Sequence, residues 1–223
     1  MIVITGASDG LGHELAKVFK AAGKRVVNIS RRDCSVADDN LLHDLSKANE
    51  IKTAVKEVLA IDEPLEVLIN CAGIWGQEPI DELTEEATDG IWAVNARAPI
   101  LLTGGLLERI KKDQADVVNV VSKAGTVGSK DYAVYSASKW AERGFTDSLR
   151  EELKDSLCRV IGFYPGGIST QIFAKDTGKD FTNDGNYWME PAELAKCIKQ
   201  LLDLPKGIEV TDIILERKKA YKK

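Results

Sequence analysis

The chain has 223 residues, 44% of them hydrophobic, enough for one well-buried core and too few for a second domain of ordinary size. Its 35 acidic against 30 basic side chains leave a net charge of −5, which argues against nucleic acid or an anionic membrane surface as the main partner and for dissolved small molecules. No apolar run approaches the ~20 residues of a bilayer span, and Met1 leads straight into the strand-like IVIT without a signal-peptide pattern, so no membrane contact and a cytoplasmic location are expected. The four cysteines, Cys34, Cys71, Cys158 and Cys197, lie far apart and form no C-x-x-C; they are expected to be reduced, and no metal site is expected.

In chain order, the first predicted strand is MIVIT, residues 1–5, followed by a turn through Gly6, Gly10 and Gly12 into a helix on which Leu11, Leu15, Val18, Phe19 and Ala22 recur at helical spacing. Such a turn aims unpaired helix N–H groups and the positive dipole end at one spot, which suits a phosphate approaching bare backbone. RVVNIS, 25–30, is the second strand, and the short NLLHDL adds a weak one near residue 41. EVLIN, 66–70, is next, then a helix carrying Ile91, Val94, Ala98, Leu101 and Leu102. In that helix Pro99 stands four residues after Asn95; lacking an N–H, it is expected to kink the helix and leave the Asn95 carbonyl free.

DVVNVVS, 116–122, ends at Ser122, placed to hydrogen-bond a reacting oxygen. Tyr135 and Lys139 follow, four apart in a helical stretch and so on one face. A phenol that exchanges protons near neutral pH must move from a pKa of about 10 by roughly three units, which takes about 4 kcal/mol. An ammonium one turn away supplies part of that. CRVIGFY, 158–164, is a further strand, TQIFAKDTGKDFTNDGNYWM, 170–189, is a long irregular piece, Pro191 suits the first turn of a closing helix, and VTDIILE, 210–216, is the last strand. The lysine-rich ERKKAYKK reads as a solvated tail. Strands apolar on both faces, alternating with helices, predict right-handed β-α-β units: an α/β chain folded as a doubly wound parallel sheet of about seven strands, a three-layer sandwich with 1–223 as a single domain.

The motifs fall in the order and register of the short-chain dehydrogenase/reductase family, which the chain resembles over nearly its whole length. The family's T-G-x-x-x-G-x-G turn corresponds to Thr5, Gly6, Gly10 and Gly12, its N-N-A-G to NCAG at 70–73, its Y-x-x-x-K to Tyr135 and Lys139, its serine to Ser122, and its P-G motif with a later threonine to PGGIST at 165–170. Cys71 replaces the motif's second asparagine, and Val121 stands where many relatives have a first serine. The resemblance implies a Rossmann-type dinucleotide fold and hydride transfer between a nicotinamide and a carbonyl or alcohol. Tyr135 is then the acid or base, Lys139 holds the nicotinamide ribose and lowers the tyrosine pKa, Ser122 binds the substrate oxygen, and Asn95 completes a proton relay through its carbonyl and a water. It further implies cofactor contacts from Gly6, Ser8, Gly10, Leu11 and Gly12 in the first turn, and from Asn70, Ala72 and Gly73. Tyr135, Lys139, Pro165, Gly166, Ile168 and Thr170 complete that set.

At the end of the second strand Ser30 occupies the position where NAD-specific folds place a carboxylate, and Arg31 and Arg32 follow. A 2′-phosphate needs that carboxylate absent and an arginine nearby, so NADP(H) is expected over NAD(H). Asp44, with Leu45, resembles the family's adenine-contacting aspartate. Side chains near the hydride are expected from 124–127, from Trp75, and from a lid at about 170–190 bearing Phe173, Phe181, Tyr187 and Trp188. Aldehydes, ketones, cyclic carbonyls and 3-oxoacyl thioesters all stay open as substrates. The alternative reading is a non-catalytic NADP(H)-binding regulator reporting redox state to a partner; such a sensor needs the glycine turn and Arg31 but not Asn95, Ser122, Tyr135 and Lys139 together. A homodimer or homotetramer is implied through helices near 88–110 and 132–155, whose outward positions read as mixed: Trp140, Phe145 and Leu149 apolar, Glu142, Arg143 and Arg150 charged.

Overall fold

The structure, a computed structural model, describes residues 1–170 and 188–218. Among these residues, seven parallel strands form one sheet in the order β3-β2-β1-β4-β5-β6-β7. They are β1 (Ile2–Thr5), β2 (Val26–Ser30), β3 (Asp39–Leu42), β4 (Val67–Asn70), β5 (Asp116–Val120), β6 (Val160–Pro165) and β7 (Asp212–Leu215). Register is set at the centre by Ile2 opposite Val26 on one side and Val67 on the other. The strand order reverses between β1 and β4, and a crevice opens there beyond the carboxyl ends.

Alternation along the central strands feeds two cores. Ile2, Ile4, Val26, Ile69 and Phe163 pack under α1 (Gly10–Ala21) and a helix at Pro191–Leu202. Val3, Val27, Ile29, Leu68 and Val117 face α2 (Ala48–Ala60), α4 (Ala98–Asp113) and α5 (Ala133–Leu153) on the other side. This is the doubly wound, Rossmann-type three-layer arrangement that strands apolar on both faces predict. The Pro191–Leu202 helix is α6, and Pro191 opens it as expected. The predicted 170–190 lid falls largely on residues outside those described, as do Phe173, Phe181 and Tyr187.

One expectation is corrected, on α5, and the helix before Pro99 shows a feature of its own. A π-helical turn at Ala93–Arg97 lies between α3 (Glu85–Trp92) and α4, closed by the Ala98 N–H donating to the Ala93 carbonyl. One extra residue in the turn lets the chain reach Pro99 near the start of α4, where a missing N–H costs nothing. On α5, Glu142 and Leu149 do not face outward: Glu142 is 2% and Leu149 6% exposed, and Phe145 packs against the core. Of the apolar residues expected outside, Trp140 alone is well exposed, with the Arg143 guanidinium 5.5 Å from its ring centroid.

Candidate active site

The crevice holds a cavity of about 980 Å³. One end is built by the β1–α1 turn. Gly6 has φ +74°, and a side chain there would press on the Ala72 backbone at 3.0 Å. A side chain at Gly12 would run into the Gly6 carbonyl. Both positions therefore require the close backbone approach that glycine permits. Asp9 caps α1, its carboxylate accepting from the Gly10 N–H at 2.8 Å. Thr5 joins this turn to the loop after β4: its Oγ1 accepts from the Cys71 and Ala72 N–H groups, each at 2.9 Å.

Beside the turn lie Ser30, Arg31, Arg32 and Asp44. The Ser30 hydroxyl donates to the Arg32 carbonyl at 2.6 Å, which fixes the bend after β2. Arg32 pairs with Asp9 at 3.2 Å, whereas Arg31 is exposed and makes no hydrogen bond or ion pair among the described residues. Burial pushes the Asp44 carboxyl up, but Ser46 donates to it from both its N–H and its hydroxyl, and with Lys47 and Arg31 nearby it is held below its ordinary value.

The other end is built by β5, α5 and the loop after β6. Ser122 caps a 3₁₀ turn at Lys123–Gly125, and its Oγ accepts from the Ala124 N–H at 3.1 Å. The hydroxyl hydrogen is thereby left to be donated into the cavity. Tyr135 and Lys139 line the same wall. The Lys139 ammonium lies 4% exposed as a residue, donating to the Val120 carbonyl at 3.2 Å and to the Glu142 carboxylate at 2.7 Å. Burial alone pushes the Lys139 pKa down; Glu142, then Tyr135 and Cys71, more than offset that and leave it raised. Burial pushes the Cys71 thiol up to about 12. The Trp75 and Tyr132 rings meet tilted by 55° with centroids 5.6 Å apart, and they line the cavity together with Val127 and Trp188.

Nearly all the positions expected from the sequence converge here. Gly6, Ser8, Gly10, Leu11, Gly12, Leu45, Ala72, Gly73, Pro165, Gly166, Ile168 and Thr170 line the cavity with the residues above. Asn70 and Asn95 do not. The Asn70 amide is turned inward, donating to Thr103 and to Asn119. Asn95, 1% exposed, exchanges two hydrogen bonds with the Ile74 backbone and donates to Ser138 at 3.2 Å, so its side chain shapes the loop after β4 from behind. Glu142, which the sequence reading put on the outward side of its helix, is 2% exposed and belongs to this site instead. The available signal was its position three residues after Lys139, within an inward stripe. Among the described residues no group of three or more His, Cys, Asp or Glu side chains is placed to hold a metal, and no helix is long and apolar enough to cross a membrane.

Comparison with known proteins places this geometry in context. Residues 1–180 match the short chain dehydrogenase family. The chain is 31% identical over 189 residues to the mouse protein named dehydrogenase/reductase SDR family member 7B, the match covering 77% of this chain and 58% of that protein; the chain thus spans under two thirds of that relative's length. Among solved structures it is similar in fold to an alcohol dehydrogenase from the archaeon Thermococcus sibiricus complexed with 5-hydroxy-NADP, at a TM-score of 0.88 and 23% identity over 100% of this chain and 97% of that one. A 4-hydroxyisoleucine dehydrogenase complexed with NADH and succinate superposes at a TM-score of 0.84, with 25% identity over 97% of each chain.

Proposed function

The chain belongs to the short-chain dehydrogenase family, and on that premise we propose that it is an NADP(H)-dependent oxidoreductase acting on the carbonyl or alcohol group of a small molecule. The observation that carries this reading is the single cavity that joins the glycine turn, Arg31 and the Ser122, Tyr135 and Lys139 side chains. The residues fit a phosphorylated dinucleotide: bare backbone at Gly6 and Gly10 for the pyrophosphate, a hydroxyl rather than a carboxylate at Ser30, and an uncommitted guanidinium at Arg31. When bound, the nicotinamide supplies the hydride.

The chain's own residues then handle the proton and the orientation. Ser122 donates its hydroxyl hydrogen to the substrate oxygen while the Ala124 N–H holds the Oγ in place. Tyr135 gives its phenolic proton to that oxygen in reduction and removes it in oxidation. Lys139, whose ammonium form its neighbours Glu142 and Tyr135 favour, in turn favours the phenolate. Trp75, Tyr132 and Val127 exclude water beside them and favour an apolar substrate body. The enzyme is cytoplasmic, in keeping with four free cysteines, and forms a homodimer or homotetramer through α4 and α5, where Ile100, Leu101 and Trp140 are exposed.

The test is NADPH consumption across a panel of aldehydes, ketones, cyclic carbonyls and 3-oxoacyl thioesters, with Tyr135→Phe as control. Turnover should fall by about 10²-fold or more, while NADPH affinity stays within a few-fold because the hydroxyl contributes little to holding the dinucleotide. A Tyr135→Phe enzyme within tenfold of the parent would remove the acid role.

A further inference from the structure

Along α5, Tyr135 lines the cavity and Lys139, Glu142, Thr146, Leu149 and Leu153 follow it as a buried stripe. A carboxylate in the middle of that stripe is out of place unless it is paired, because burying an unpaired charge is costly. Glu142 is paired with Lys139 itself: the Oε2–Nζ distance is 2.7 Å and both side chains are 5% exposed or less. Its backbone is also pinned. The Glu142 carbonyl accepts from the Thr146 hydroxyl at 2.7 Å, Thr146 accepts from the Asn119 amide at 2.9 Å, and Asn119 accepts from Asn70 at 2.8 Å. The Glu142 backbone is thereby fixed by a hydrogen-bonded chain reaching across β5 to β4; burial pushes the carboxyl pKa up, and Lys139 opposes that without cancelling it.

We propose that Glu142 is a positioning residue that keeps Lys139 as an ammonium beside Tyr135, acting on the reaction through the lysine and touching neither cofactor nor substrate. This rests on the oxidoreductase reading above. Among the described residues Nζ donates to the Glu142 carboxylate and the Val120 carbonyl, and a neutral carbonyl does not compensate a buried cation. The other titratable groups acting on Lys139 are Tyr135 on the same helix and Cys71 after β4; from the π turn and β5 come the uncharged amides of Asn95 and Asn119. On β6, Tyr164 is engaged with Asp212 and Arg143 instead.

Removing the carboxylate has two effects, and for carbonyl reduction they share one sign. Lys139 loses the partner that offsets its desolvation, so its ammonium deprotonates at lower pH. While still charged, it acts on Tyr135 unopposed, so the phenol also deprotonates at lower pH and ceases to be an acid. Both move the alkaline limb of kcat/KM downward.

The experiment compares the parent with Glu142→Gln and Glu142→Asp by two readouts. The first is NMR of protein labelled at lysine Cε, with the Lys139 signal assigned by its loss in Lys139→Met; this needs no turnover. In Glu142→Gln the Lys139 titration should fall by about one pH unit or more, and in Glu142→Asp by less, since the shorter side chain retains the charge at longer range. The second is the pH profile of carbonyl reduction, whose alkaline limb should move down in the same order. A Lys139 titration unchanged in either variant overturns the proposal, whatever the turnover; should Glu142→Gln not fold, Glu142→Asp decides alone. A titration that moves while the alkaline limb stays put also overturns it, leaving a purely structural pair. A parent that reduces no carbonyl overturns the oxidoreductase reading, and with it the positioning role.

Discussion

At the end of β2 a single side chain sets the expected cofactor preference. Arg32 is engaged by Asp9, whereas Arg31 is open to the cavity next to the Ser30 hydroxyl. A charge-assisted contact from Arg31 to a 2′-phosphate is worth about 1.5–3 kcal/mol, so NADPH should be preferred over NADH by roughly ten- to a hundredfold, less at high salt. The double substitution Ser30→Asp, Arg31→Ala sets a carboxylate against the phosphate and offers it to the ribose hydroxyls. Steady-state kcat/KM with both cofactors should then show the preference reversed; a ratio that does not move would make Arg31 a surface charge. At this scale the sequence was informative where a residue's neighbours in the chain are its neighbours in space, as for Ser30 and Arg31, or Tyr135 and Lys139. It misled at Glu142, because a charged helix residue is exposed by default and only the fold shows a buried cation waiting for it.

Among the elements, the joint between the β1–α1 turn and the loop after β4 depends on one hydroxyl. Thr5 Oγ1 satisfies two backbone N–H groups, and Thr5 is only 3% exposed. Thr5→Val keeps the shape and orphans both donors; the expected loss is about 1–3 kcal/mol in urea unfolding together with weaker dinucleotide binding. Thr5→Ser, which keeps the oxygen, should restore most of both, and equal behaviour of the two variants would remove the hydroxyl's role. The strands of the central sheet were legible from their β-branched runs, and their observed ends fall within a residue or two of the predicted ones. At the β3 edge the predicted NLLHDL run carries on three residues past the strand, which ends at Leu42, because half-buried edge strands carry a weaker pattern. The π turn was not legible as such. Pro99 announces that a backbone bond is missing, but not that the chain accommodates it with an extra residue in the turn at Ala93–Arg97.

On the scale of the molecule, the crevice at the carboxyl ends of the strands is opposed by a buried charge network at the amino ends. Asp116, at the start of β5, pairs with Arg159 at 2.7 Å, with both side chains 4% exposed, and with Lys206 at 2.7 Å. Arg159 also donates to the Leu202 and Leu204 carbonyls, tying the end of α6 to the sheet. Asp116→Ala strands a buried guanidinium and should cost about 3–5 kcal/mol, whereas Asp116→Leu with Arg159→Met removes both charges and should cost much less. Thermal unfolding reads the stability, and kcat measured well below the transition should be unchanged in both variants, since the cavity lies at the opposite edge. An activity loss in the fully folded double variant would show that the two edges communicate.

The reversal of strand order between β1 and β4 has a consequence for how such a chain can vary. The cavity lining proposed for the adenosine end, from the glycine turn through Ser30 and Arg31 to Asp44, precedes β4, while Ser122, Tyr135, Lys139 and the Trp75 and Tyr132 rings all follow it. The two vocabularies of recognition are thus written on separate, consecutive stretches of polypeptide, stitched at the bottom of the crevice by the Thr5 hydroxyl. A crossover in the segment between α2 and β4 would exchange one stretch whole without cutting the other, so under the proposed function cofactor preference and substrate would be separable traits.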